Sequence, residues 1–239
     1  MIKNKTKTLQ KIQSEVESIN SIALSVDCVI FGFDENKLKV LLIRSDIKNF
    51  KGKWSLLGDL VRPDEGLDDS AYRILKQRTG LNDVYLEQVQ TFGDIKRHPA
   101  GRVITIAYCS LINIQHHKLN ILDNELHWHD VNSITELAFD HSKIFKTCLE
   151  QLQRRIQKHP LALKLLPDKF SLRELQILYE AILSLKLDRR NFRKKFFAMD
   201  FLVDVDEIEK DVPHRPGKLY KFDYSKYERK KKRWSGIDF

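Results

Sequence analysis

Apolar residues in the first block of the chain come at strand density. SIALSVDCVIFGF (residues 21–33) and LKVLLIRS (38–45) are rich in Val, Ile, Leu and Phe, and Asp34-Glu35-Asn36 between them is a hairpin signal. WSLLGDLV follows and ends at a Pro63-Asp64 turn. From Asp68 to Arg78 the spacing becomes helical, with Ala71, Ile74 and Leu75 apolar and Gly80 as the stop. Strands resume at VYLEQVQTFG and VITIAYCSLINI, and a helix from about Ser142 to Gln157 closes the block. Ahead of it, residues 1–20 read as a polar lead-in with helical spacing at Leu9, Ile12, Val16 and Ile19.

Between Pro160 and Pro167 the pattern changes. Ser171 is a good N-cap, and Glu174 three residues later completes a capping-box signature for the helix LRELQILYEAILSL. Asp188 caps a second helix, RRNFRKKFFAM, and two short strands follow at Phe201–Val205 and Leu219–Phe222. Helix, turn, helix and a two-stranded wing is the order of a winged helix-turn-helix. Domains are therefore expected at 21–158 and 159–239, behind the 1–20 lead-in.

Charge sharpens the second domain. The chain of 239 residues carries a formal +9. From Pro160 onward 19 Lys and Arg face 13 Asp and Glu, so one third of the chain holds two thirds of the excess. A basic module suits a polyanion, because neutralising phosphates releases condensed counterions; a merely basic, soluble surface is the plainer account. On a helical wheel Phe192, Phe196 and Met199 form the core stripe of residues 189–199. Arg190 and Lys194 point away from it, Asn191 and Arg193 flank them, and Arg189 and Lys195 lie beside the apolar face. Arg190 and Asn191 suit base edges, and Lys194 and Lys195 suit phosphate. His214, Arg215 and Lys218 in the wing loop suit the backbone or minor groove. A solvated helix in a protein-interaction wing is the alternative.

Composition excludes some classes. No apolar run approaches the roughly 18 residues of a membrane span, and MIKNKTKTLQKIQSEVESIN has no signal-peptide core, so a cytoplasmic protein is expected, without membrane contact. Cys28, Cys109 and Cys148 are odd in number, far apart and in apolar segments, which points to buried thiols rather than disulfides or zinc. His127 and His129 flank Trp128 but lack a third ligand, so a strand-edge role is expected.

The first domain carries chemistry in a worn form. Gly58-Asp-Leu-Val-Arg-Pro-Asp-Glu65, running on through Arg73-Ile-Leu-Lys-Gln-Arg-Thr-Gly80-Leu81, resembles the Nudix box G-x5-E-x7-R-E-U-x-E-E-x-G-U, where U is a bulky apolar residue. Glu65, Arg73, Leu75, Gly80 and Leu81 match at unchanged spacing. The positions of the family's metal-binding glutamates hold Ile74, Gln77 and Arg78. Hard divalent cations need carboxylate oxygens, and hydrolysis without them loses nucleophile activation and charge clamp. Glu65 and Arg73 are expected to persist as a structural ion pair, with no catalytic residue, metal or cofactor.

With FSLRELQILYEAIL, LDRRNFRKK and the HRPGKLYKFD wing, nearly the entire chain is similar to the Nudix-related transcriptional regulators called NrtR-type. The resemblance implies an α+β fold: a Nudix-like α/β/α sandwich with a mixed sheet, followed by a C-terminal winged helix-turn-helix. It also implies a homodimeric regulator, a repressor in first expectation, on palindromic operator DNA, with a small-molecule effector in the Nudix domain. One branch senses ADP-ribose. GKWSLLGDLVRPDEGLDDSAYRIL and LEQVQTFGDIKRHPAGRVITIAY look closer to an AraR-like branch that senses L-arabinose and controls carbohydrate metabolism. Candidate effector residues are Arg44, Trp54 and the 94–102 loop: Arg44, Arg97 and Arg102 for a diphosphate, Asp94 with Tyr108 for a sugar. The rival expectation is an active hydrolase of nucleoside diphosphate derivatives with an accessory nucleic-acid-binding domain; a third is a constitutive repressor with a closed pocket.

Overall fold

The computed structural model describes residues 22–117, 119 and 126–231. The lead-in expected at residues 1–20 lies outside them. The elements are β1 (Ala23–Asp34), β2 (Lys37–Arg44), β3 (Trp54–Ser55), β4 (Leu57–Leu60), α1 (Leu67–Thr79), β5 (Glu87–Phe92), β6 (Val103–Asn113), β7 (Leu126–Asp130) and α2 (His141–Lys158). After a 3-10 turn come β8 (Phe170–Ser171), α3 (Leu172–Leu183), α4 (Arg189–Met199), β9 (Leu202–Ile208), β10 (Lys218–Phe222) and α5 (Tyr224–Lys230). Among the described residues no helix is long and apolar enough to cross a membrane.

The first seven strands make one mixed sheet, ordered β3-β2-β1-β6-β5 with β4 also on β1 and β7 also on β2. β1 and β6 run parallel, Cys28 opposite Tyr108, and every other pair is antiparallel. Because side chains alternate along a strand, β1 serves two cores. Val26, Cys28 and Ile30 face α1 with Ile74, Leu75, Ile106 and Tyr108. Val29 and Phe31 face α2, with Ile144, Phe145 and Cys148. The sandwich expected from the sequence is thus present, with a mixed sheet as anticipated. α1 stops at Gly80, whose φ of 74° is the left-handed cap that glycine adopts without a Cβ penalty.

The second core does not stop at the sandwich. The same apolar cluster continues through Leu152 and Ile156 of α2 to Leu175, Leu178, Tyr179 and Ile182 of α3, and then to Phe192, Phe196 and Phe201. α3 begins at the expected capping box: the Ser171 side chain accepts from the Glu174 N–H at 3.3 Å, and the Glu174 carboxylate accepts from the Ser171 N–H at 2.7 Å. The helix ends two residues earlier than its apolar pattern suggests, at Ser184 in the left-handed conformation. The wing sheet has three strands rather than two, because β8 pairs with β10. Cys28 and Cys148 are buried as expected; Cys109 is only partly so, a correction that follows from its place near the β5 edge.

Candidate DNA interface and effector site

Asp188 opens α4, its side chain accepting from the Asn191 N–H at 2.7 Å. Phe192 and Phe196 pack edge-on against Tyr179, with ring centroids 5.9 and 5.1 Å apart. Burying that stripe leaves Arg189, Arg190, Asn191 and Lys194 exposed and Arg193 and Lys195 half-buried. The turn before α4 is fixed by Gln176 donating to the Leu187 carbonyl at 2.9 Å and by Glu180 accepting from the Leu187 N–H at 2.9 Å.

A groove of about 780 Å³ runs between α3, α4 and the wing. It brings Arg189 and Arg193 together with His214, Arg215 and Lys218, and adds Arg173 from the start of α3. Sequence reasoning passed over Arg173; its place one residue inside a capped first helix was the available signal. Arg190, Asn191, Lys194 and Lys195 are not among the residues lining this groove. Parts of the wing are self-neutralised. Lys218 pairs with Asp204 at 2.6 Å, Lys169 with Glu207 at 2.6 Å, and Lys226 and Lys230 both reach Asp200. Glu209 accepts from the Gly217 N–H at 2.8 Å and lies 4.0 Å from His214, which closes the hairpin. α4 by contrast presents Arg189, Arg190 and Lys194 to solvent.

In the box, Glu65 takes Arg73 in a two-toothed grip, Nε at 2.8 Å and Nη2 at 2.7 Å. It also accepts from the Arg62 N–H, and Arg73 reaches the Leu60 carbonyl and Asp59. The guanidinium pulls the Glu65 carboxyl down to about 2. Ile74 lies in the core against α1's face of the sheet, Gln77 accepts from Arg73 at 3.3 Å, and Arg78 is exposed and cationic. An apolar side chain, an occupied amide and a guanidinium do not fit a divalent ion. Among the described residues no three His, Cys, Asp or Glu side chains stand together to hold a metal.

The candidate effector residues do not form one site. The Tyr108 hydroxyl donates to Asp68 on the α1 side of the sheet, where burial pushes its pKa up and Asp68 adds to the rise. Arg44 lies over the Trp54 ring, 3.6 Å from its centroid, and donates to the Gly52 carbonyl. Trp54 in turn meets His127 and His129 edge-on, and His129 Nε2 is buried without a hydrogen-bond partner. Arg102 donates to the Gly93 carbonyl at 2.7 Å, and Asp94 accepts from the Lys96 N–H at 3.0 Å, so both shape the 93–102 loop.

Arg97 goes elsewhere. It is buried between two carboxylates, with Nε and Nη2 at 3.0 and 2.8 Å from Asp140 and Nη2 at 3.5 Å from Asp27. Thr105 donates to Asp27 at 2.8 Å. His141 Nδ1 accepts from the Leu56 N–H at 3.0 Å, so the ring proton is on Nε2, 3.5 Å from Asp27. Burial lowers the His141 pKa and keeps the ring neutral. A Cβ at Gly58 would collide with the Asp27 carboxylate. Over this cluster His98 stacks on Phe139, centroids 5.2 Å apart, and Phe50 packs on Phe139 at 4.3 Å. Phe139 has φ of 54°, a left-handed conformation that costs a bulky residue about 1–2 kcal/mol.

These features define a class: a Nudix sandwich without its metal carboxylates, fused through a shared core to a winged helix. A family profile described as NUDIX domain matches residues 22–148, and one described as NrtR DNA-binding winged helix domain matches residues 162–222. The chain is 32% identical over 210 residues to the "ADPR responsive transcriptional repressor NtrR" of Acinetobacter baylyi, covering 86% of this chain and 84% of that one. Crystallised Shewanella oneidensis NrtR complexed with a 27mer DNA superposes with a TM-score of 0.70 at 27% identity, covering 86% of this chain and 95% of that one. The NUDIX domain of the same protein complexed with ADP ribose gives 0.52 at 29% identity, over 57% and 92%. The chain belongs to the NrtR family of Nudix and winged-helix proteins.

Proposed function

We propose that this chain is a non-hydrolytic, effector-responsive transcriptional repressor. Two copies form a homodimer in the cytoplasm and set their α4 helices into successive major grooves of a palindromic operator. Arg190 and Asn191 read base edges, Lys194 and Lys195 hold phosphate, and Arg189, Arg193, His214 and Arg215 follow the backbone. Lys218 contributes only if DNA draws it from Asp204. The Nudix domain binds a small molecule, and binding changes operator affinity by a coupling of about 1–3 kcal/mol. The relatives named above point to ADP-ribose, and a plain sugar such as L-arabinose is the finer alternative.

One observation carries this reading: Ile74 is packed into the core where hydrolysis needs a metal carboxylate, in a chain whose α4 presents Arg190, Asn191 and Lys194 to solvent. Mobility-shift titration of the chain's own promoter fragments, with and without ADP-ribose, tests it. Binding at low salt that ADP-ribose modulates is expected. Turnover of ADP-ribose with magnesium or manganese at ordinary enzymatic rates would instead establish the hydrolase.

A further inference from the structure

One long side chain on the outward face of α4 is neither charged nor buried. Phe192 and Phe196 fill the core at 1% and 2% exposure, whereas Phe197 beside them leaves 49% of its surface in solvent. At 3.6 residues per turn Phe197 stands two turns beyond Arg190 and within about 20° of it around the helix axis. Exposed Lys194 lies between the two along that face. Core packing therefore does not account for an aromatic at this position.

Phe197 also lines the groove between α3, α4 and the wing, together with Ile177 of α3 and Tyr220 of β10. Its ring meets Tyr220 edge-on, with centroids 5.6 Å apart, which holds its orientation. Arg173, Arg193 and Arg215 stand around this apolar floor. The cationic rim suits phosphate. The floor has no use for phosphate and needs an apolar partner.

A major groove offers one such partner. Base faces are stacked away from a side chain there, and base edges present donors and acceptors; the 5-methyl group of thymine is the apolar feature. We propose that Phe197 is a specificity residue that packs on a thymine methyl of the operator. This rests on the reading of α4 as the helix that enters the major groove. Seven residues advance about 10 Å along the axis, roughly three base-pair steps. Phe197 and Arg190 thus serve different base pairs of one half-site, Arg190 by hydrogen bonds and Phe197 by apolar contact. Tyr220 positions the ring from the wing.

The test uses the full chain and synthetic duplexes that copy the promoter segment it protects in footprinting. Each thymine is replaced singly by deoxyuridine, which removes the methyl and keeps every hydrogen bond, and affinities are read by fluorescence anisotropy. Replacement of one thymine per half-site is expected to weaken wild-type binding about fourfold, the worth of one buried methyl. Phe197→Ala and Phe197→Gln, checked for fold by thermal unfolding, should weaken the unmodified duplex by a similar factor and become indifferent at that thymine. Indifference of the wild-type protein to every replacement overturns the proposal without any variant. So does a folded variant that keeps the full sensitivity at the same thymine, which makes the ring a packing residue for the wing. If the chain binds no promoter fragment at all, the DNA reading falls first and this assignment with it.

Discussion

Arg190→Ala isolates one contact at the centre of the DNA reading. Arg190 and Lys194 are exposed, one helical turn apart, on the side of α4 opposite Phe192, Phe196 and Met199. Neither truncation removes core packing, and alanine is the better helix former, so folding stability should change by only a few tenths of a kcal/mol. The effect therefore appears in binding. If Arg190 reads a base edge, its loss costs about 1–3 kcal/mol on the operator, roughly 5- to 150-fold in affinity, and far less on scrambled duplex. Lys194→Ala should weaken both duplexes alike and flatten the slope of log K against log salt by about 0.9, one phosphate contact. Fluorescence anisotropy on operator and scrambled duplexes across a salt series measures both, with thermal unfolding as the control for fold. Equal losses for Arg190→Ala on the two duplexes would make it a phosphate contact. Wild-type behaviour in both variants would remove α4 from the major groove altogether.

Phe196→Ala opens a hole beneath the same helix, where Tyr179 and Phe192 press on the ring; a loss of about 3–5 kcal/mol is expected in urea unfolding, and operator binding should weaken only through unfolding. Gln77→Glu with Arg78→Glu returns two carboxylates to exposed positions, but Ile74 still faces the core; no manganese-dependent turnover of ADP-ribose is expected, and measurable turnover would undo the account of the box. Stability should fall as pH drops below about 6.5. His141 is held neutral by burial beside Asp27, Asp140, Arg97 and His98, and His98 and His129 are lowered in the same direction. The unfolded chain then binds protons that the native state refuses, a limiting slope of about 1.4 kcal/mol per pH unit for each proton. Urea midpoints at pH 7.5 and 5.5 report it, and equal midpoints would contradict it.

Much of the fold was legible because its signals are local. Apolar residues at strand density marked β1, β2 and β6, and cap residues marked α3 and α4 within two residues of their ends. Signals failed where partners decide. β8 is two residues long and exists only because β10 pairs with it, and Ser184 takes a left-handed cap that glycine usually supplies. α5 carries no strong cap motif beyond Asp223 and is held through Tyr227 against Phe201 and His159. The Asp27 cluster had one visible cue, a carboxylate inside an apolar strand. Its partners come from Arg97, Thr105, Asp140 and His141, and no spacing along the chain joins them. Parity along β6 does separate Tyr108 from Thr105, and the β1–β6 register sends Tyr108 to the α1 side with Cys28.

If the sandwich senses and the winged helix reads DNA, as proposed, the continuous core gives a short mechanical route between them. α2 supplies Ile144, Phe145 and Cys148 to the sheet and Leu152 and Ile156 to the cluster that holds α3 and α4. A shift of α2 therefore cannot be absorbed in a slack linker; it must be taken up by packing, and packed cores switch between discrete arrangements rather than deform smoothly. Regulation needs about 1–3 kcal/mol of coupling. The Gln153 to Ile182 hydrogen bond contributes about 1 kcal/mol, and the buried Arg97–Asp140 pair contributes through a charge-assisted grip at 2.8 and 3.0 Å. Under that reading, rearranging contacts of that size along one helix would supply the coupling without either module unfolding.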